Sequence, residues 1–191
     1  MSTAVAERSA DAPVSRGTDP RVPVVLLVAA VAVLVVNTAV LFAGAWGIGV
    51  TIDEPYHVDR LSHWFSTGWY LPEFQMNGAE PDWRYENLFV YAPVSALVAH
   101  AVAVVLGAEA WGTVLATPEA YAARHIAIAL LAVLGLVAAA SIVRLLLRSW
   151  RWAVVAAAVL SCIPTWLGHG MFNIKDAPVA TVSDVATLLL D

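Results

Sequence analysis

The chain has 191 residues, of which 60% are hydrophobic and 13% charged, with a formal net charge of −5 and a mean hydropathy of +0.75. Soluble domains carry roughly 25% charged residues, so this composition predicts a membrane protein, and the acidic balance argues against a nucleic-acid partner. A single cysteine, Cys162, excludes an intrachain disulfide and a cysteine-based zinc site.

Residues 1–21 are polar and include Arg8, Arg16 and Arg21, and predict a disordered cytoplasmic tail. From Val22 to Ile52 no residue is charged. A spanning helix needs about 20 apolar residues, so a first span is expected at about 22–48. A cleaved signal peptide would carry an apolar run of only about 7–15 residues, closer to the start.

The span is followed at once by Gly-Val-Thr-Ile-Asp53-Glu54-Pro-Tyr-His57. Asp53 is a preferred helix cap, and Pro55 suits a first turn because its missing N–H has no partner there anyway. In the helix that follows, Val58, Leu61 and Phe65 fall on one stripe, and Glu54, His57 and Arg60 on another. The expectation is an amphipathic helix lying in the interface, apolar face down and charged face up. Trp64, Phe65, Trp69 and Tyr70 would anchor it. On this reading Glu54 complements the helix N-terminus, His57 is solvated, and Arg60 snorkels or grips a phosphate.

The segment 88–107 is apolar but carries Pro93 and His100, and it only just reaches spanning length. Further spans are expected at about 124–147 and 152–168, with another starting at 178. If 88–107 crossed the bilayer, the basic cluster Arg144, Arg148 and Arg151 would lie outside. That breaks the bias of Lys and Arg towards cytoplasmic loops. We therefore read 88–107 as interfacial or re-entrant. One large outer loop, about 49–123, then faces a small one, about 169–177. Ten of the fifteen acids lie in these loops, among them Asp53, Glu54, Glu86, Glu109 and Asp176.

The small loop reads Gly168-His169-Gly-Met-Phe-Asn173-Ile-Lys175-Asp176. Its plain reading is a solvated turn with Asn173 as a local cap. Polar groups at membrane depth are nonetheless costly and tend to be functional. The same reasoning singles out Asp184, eight residues into the next apolar run, and after it His100 and Glu86. His125 is read as interfacial. The chain stops inside that last apolar run, so an N-terminal portion of a longer protein, inactive by itself, is expected. No P-loop, GxGxxG, HExxH or GxSxG motif occurs.

The order of these features resembles the GT-C superfamily of membrane glycosyltransferases, in particular family 39: the protein O-mannosyltransferases and aminoarabinose-transferase-like proteins. The resemblance rests on Ile52-Asp53-Glu54-Pro-Tyr-His57 after an uncharged first helix, and on a helix opened by Ala122-Ala123-Arg124 and closed by a basic cluster. The third feature is a helix end containing Pro164, followed by a short loop ending in Asp176. It covers about residues 22–190. A family proline pair after the first outer loop is replaced by Asn87 to Pro93, with one proline.

The resemblance implies an all-α polytopic membrane protein whose large first outer loop carries interfacial helices. It implies an enzyme, a hexosyl- or pentosyltransferase, with its active face extracytoplasmic and its N-terminus cytoplasmic. Such an enzyme moves a sugar from a polyprenyl-phosphate donor to a hydroxyl of a protein, lipid or glycan acceptor, with inversion. The family's first acid maps onto Asp53, with Glu54 beside it, and its second onto Asp176; these would serve as catalytic base or as ligands of a divalent cation such as magnesium or manganese. His57, Arg60, Arg84, His169, Asn173 and Lys175 are the candidates to hold the donor phosphate or substrate. Two other readings stand beside this one: part of a polytopic transporter, or a non-catalytic membrane subunit. Long outer loops favour surface chemistry over transport, whose sites lie near the midplane.

Overall fold

The computed structural model describes residues 23–70 and 93–190. The expected tail over 1–21, the start of the 88–107 segment, Glu86 and Arg84 lie outside the described residues. Every regular element among the described residues is a helix: α1 (Val24–Gly47), α2 (Glu54–Thr67), α3 (Pro93–Val105), α4 (Pro118–Leu147), α5 (Trp150–Ser161), α6 (Pro164–Phe172) and α7 (Asp176–Leu190).

Two helices, α1 and α4, are long and apolar enough to cross a membrane, and the bent pair α5–α6 makes a third if counted as one span. At 1.5 Å per residue, α1 reaches about 36 Å and α4 about 45 Å, against a hydrocarbon core of about 30 Å. Their outward faces carry Val24, Val28, Val35, Leu130 and Leu134 exposed. A patch of that size on a soluble protein would drive aggregation, so the natural surroundings of these faces are lipid. The described part of α3 has 13 residues, about 20 Å, against the same core of about 30 Å.

α4 is the hub, and α1, α3, α5, α6 and α7 all pack on it. Thr117 caps it by accepting the Ala120 N–H, Pro118 opens its first turn, and Arg148 closes it in the left-handed conformation at φ 49°. Its inward face is built of Ala123, Ala127, Ala129, Ala132 and Gly135. Small residues let helix backbones approach closely, which is what drives association in lipid. At Gly135 a Cβ would stand 2.6 Å from Thr181 Oγ1 and 2.9 Å from the Trp166 ring, and at Gly170 2.8 Å from the Ala132 Cβ.

The segment expected to span as one piece, 152–168, is broken. α5 ends at Ser161, Ile163 is extended, and Pro164 opens α6, with a bend of 70° between the two. The cause is local: the proline ring disfavours helical geometry in the preceding residue and removes an N–H from the ladder.

The loop after α3 is fastened by a buried network. Glu109 accepts from Arg124 through Nη1 and from the Leu115 N–H at 2.7 Å, and its other oxygen meets His100 Nδ1 at 2.7 Å. The Gly112 N–H donates to His100 Nε2 at 3.3 Å, so the ring proton sits on Nδ1 and points at the carboxylate. His100 is completely buried and packs against Phe65 and Trp111. It therefore anchors this loop.

Candidate functional site

α1 ends at Gly47, and its last carbonyls lack helical partners. The Ala45 carbonyl is met by His125 Nδ1 of α4 at 3.1 Å. The other ring nitrogen, Nε2, meets Glu54 Oε1 at the start of α2, and both side chains are buried. Glu54 Oε2 in turn accepts the Thr51 N–H at 2.5 Å. The Glu54 N–H donates back to the Thr51 carbonyl at 3.2 Å, so backbone and side chain together close the turn before α2. One carboxylate thus ties the turn after α1, the start of α2 and the start of α4.

The interfacial reading of α2 needs correcting. Glu54, His57 and Arg60, expected to face water, are 8%, 7% and 1% exposed, while Asp59 and Ser62 lie on the outer side. The apolar stripe Val58 and Leu61 is buried as well. α3 packs on α2, and the start of α4 reaches Glu54 through His125. The interfacial reading of His125 is corrected for the same reason.

Asp53 stands at the cap position but makes no side-chain cap bond. Its carboxylate instead lies 3.2 Å from Lys175 Nζ, 122 residues away, with both groups partly exposed. Lys175 is held in place by the loop that carries it. Asn173 Oδ1 accepts the N–H groups of Lys175 and Asp176, both at 2.9 Å. Asn173 Nδ2 donates to Asp176 Oδ2 at 2.9 Å. His169 Nδ1 is 3.2 Å from that same oxygen. Ser95 of α3 donates to the Ile174 carbonyl at 2.7 Å, fixing this loop against α3. Asn173 is therefore a cap, as its plain reading holds, and it aims Lys175 as well.

A cleft of about 30 Å3 lies between the two segments, lined by Thr51, Asp53, Glu54, His57, Asn173 and Lys175. That is room for about two waters or one hydroxyl group. A second cavity of about 20 Å3 shares Glu54 and His57 and runs inward to Arg124 and His125. His57 lines both, and its buried Nδ1 has no hydrogen-bond partner among the described residues. Burial, with the positive charges of Arg60 and Lys175, pushes the His57 ring down to about 4 against the weaker pull of Asp53 and Glu54. The ring is neutral at pH 7. Burial also raises Tyr70 to about 12, opposed by Arg60, so its hydroxyl keeps its proton.

The structure brings Asp53, Lys175 and His57 to one cleft, with Asp176, Asn173 and His169 on the adjoining turn. Arg60 is buried in α2, within electrostatic reach of Asp53 and Tyr70. For a divalent cation between Asp53 and Asp176, the fit is poor: Asp53 already has an ammonium as counter-charge, and Asp176 is engaged by Asn173 and His169. Among the described residues no group of three or more His, Cys, Asp or Glu stands ready to hold a metal.

Sequence reading underrated His125 and Glu109. The signal for the first was Glu54, an acid in the first helical turn straight after an uncharged span, which invites a partner. For the second there was the Ala-Ala-Arg124-His125 pair at a helix start, two polar groups that a membrane helix must satisfy inside the protein. No protein-family model, curated protein or solved structure matches the chain. Fold and site together define a membrane-embedded protein, helical in every regular element of its described residues, with a polar cleft where its apolar helices end.

Proposed function

We propose that the chain carries the active centre of a glycosyltransferase that moves a sugar from a polyprenyl-phosphate donor to an acceptor hydroxyl at the extracytoplasmic membrane face. One observation carries this reading: Asp53 and Lys175 meet at the mouth of a small polar cleft at the end of the apolar helices. Half-exposed ion pairs contribute only about 0.2–1 kcal/mol. Fold stability therefore gives little reason to hold a carboxylate and an ammonium together at that place.

The chemistry follows from the two charges. The prenyl chain stays in lipid and its phosphate lies at the membrane surface. The acceptor hydroxyl enters the cleft and gives its proton to the Asp53 carboxylate. Its oxygen forms the new bond to the anomeric carbon from the face opposite the leaving group, and the carbon–oxygen bond to phosphate breaks with its electron pair on the phosphate. The Lys175 ammonium offsets the charge that develops there. Neutral His57 offers a hydrogen bond to a substrate hydroxyl through Nδ1. Glu54, bound to His125 and Thr51, positions Asp53 rather than reacting.

A transporter is the second reading, favoured by one feature: the Glu54–His125 contact, an acid and a histidine paired inside the protein where the apolar helices end. The two readings separate in one experiment. The protein in its native membranes is given radiolabelled polyprenyl-phosphate mannose and polyprenyl-phosphate glucose, and label transfer to acceptor is counted. D53N is expected to reduce transfer by at least 100-fold, the lower range for losing a general base, with unchanged expression. Transfer unaffected by D53N overturns the assignment. Proton uptake abolished by E54Q, with no sugar transfer in the parent protein, would support the transporter instead.

A further inference from the structure

At the end of the bundle away from Asp53, α1, α4 and α5 leave a groove of about 400 Å3 between them. Its walls are apolar: Val33 and Leu34 from α1, Val137 and Ala140 from α4, Val154 and Ala157 from α5. Arg144 closes one end. Its guanidinium stacks on the Trp150 ring at 5.1 Å, and its Nε is buried without a hydrogen-bond partner among the described residues. Arg148 and Arg151 stand exposed beside it. No acid occurs in the sequence between Glu119 and Asp176, so this stretch brings no carboxylate of its own to the three arginines.

Nineteen residues of α4 separate His125, at the cleft end, from Arg144. At 1.5 Å per residue that is roughly 28 Å, close to the thickness of the hydrocarbon core. Arg144 therefore lies at the depth of the opposite headgroup layer, and the groove runs from there into the acyl region.

We infer that this groove is a binding site for one anionic phospholipid of the leaflet opposite the Asp53 cleft, its acyl chain between α1, α4 and α5 and its phosphate on Arg144. Charge and shape select this occupant. The volume falls within the ~300–1,000 Å3 usual for ligand sites. An arginine at the end of an apolar trough matches a phosphate at the end of a hydrocarbon chain, and arginine grips phosphate through two N–H groups at once. Basic pockets between membrane helices are a known means of holding anionic headgroups. The α1 or α5 helix of a second copy would fill the trough but carries no acid of its own to meet the arginines.

The inference does not depend on the proposed reaction. The test is native mass spectrometry of the full-length protein, purified in detergent and offered equal amounts of phosphatidylglycerol and phosphatidylcholine. One tightly held phosphatidylglycerol is expected per chain. R144Q should lower the phosphatidylglycerol preference about fivefold, the worth of one arginine at a charged surface, and R144K should restore part of it. A140F, which fills the trough without touching charge, should expel both lipids while the protein stays folded by circular dichroism. Equal retention of the two lipids, a preference unmoved by R144Q, or a dimer that A140F dissociates without loss of lipid would each overturn the assignment.

Discussion

His125 and Glu54, 71 residues apart, share one buried contact, and the second nitrogen of the same ring serves the last turn of α1 at the Ala45 carbonyl. A carbonyl only accepts, so Nδ1 carries a proton. The Nε2–Oε1 contact then needs one more proton, on the ring as an imidazolium or on the carboxyl. Either way the pair is satisfied only when both members are present.

Removing one member should therefore destabilise strongly. Leaving a buried charge or polar group without its partner costs about 3–5 kcal/mol. H125A is expected in that range, read from denaturant unfolding in detergent. E54Q keeps a hydrogen-bonding group of the same length and should lose less. The double variant H125A/E54A should cost clearly less than the sum of its singles, because residues in contact are not additive. Additive losses would show that the two side chains do not depend on each other.

Close helix approach around α4 gives a second expectation. A Cβ at Gly135 would press on Thr181 Oγ1, which donates to the Leu131 carbonyl at 2.8 Å. G135A should force α7 outward and break that bond, with a loss of about 1–3 kcal/mol, the usual range for overpacking. T181A alone should cost less, and T181A/G135A should recover part of the G135A loss because the clashing atom is gone. A G135A protein with an unchanged unfolding midpoint would mean that α4 and α7 are looser than this packing requires.

Much of the architecture was readable before any coordinates. The uncharged run after Val22 and the apolar run after His125 are long enough to become helices of spanning length, and both did. The start of α4 at Thr117 and Pro118 and the break at Pro164 were not read, although both are local signals: the apolar run alone set the expected bounds at 124 and carried 152–168 through as one span. The surroundings of α2 were not readable. Periodicity places Glu54, His57 and Arg60 on one stripe, but it does not say whether water or protein covers that stripe. Over Glu54 the cover is His125 at the start of α4, far along the chain. The approach of Lys175 to Asp53 is likewise a tertiary event that no spacing records. Lys175 drew attention through its neighbours, a lysine–aspartate pair at a membrane boundary, and not through any sign of its partner.

The unsatisfied ring of His57 makes a prediction about pH. The unfolded chain takes up a proton on this histidine at its ordinary value near 6.5, whereas in the folded protein burial, Arg60 and Lys175 hold it down to about 4. Between those values the unfolded state binds more protons than the folded one, so stability rises with pH there and falls as the solution is acidified. The contribution is complete above pH 6.5 and is lost progressively down to about pH 4. The span corresponds to a loss on the order of 3 kcal/mol. H57N, which does not titrate in this range, should flatten this part of the curve without altering the slope below pH 4, where carboxylates dominate. The measurement is unfolding free energy in detergent from about pH 3 to 8 for the parent and H57N. Parallel curves for the two proteins would mean that His57 is already hydrated, or already paired, in the folded state.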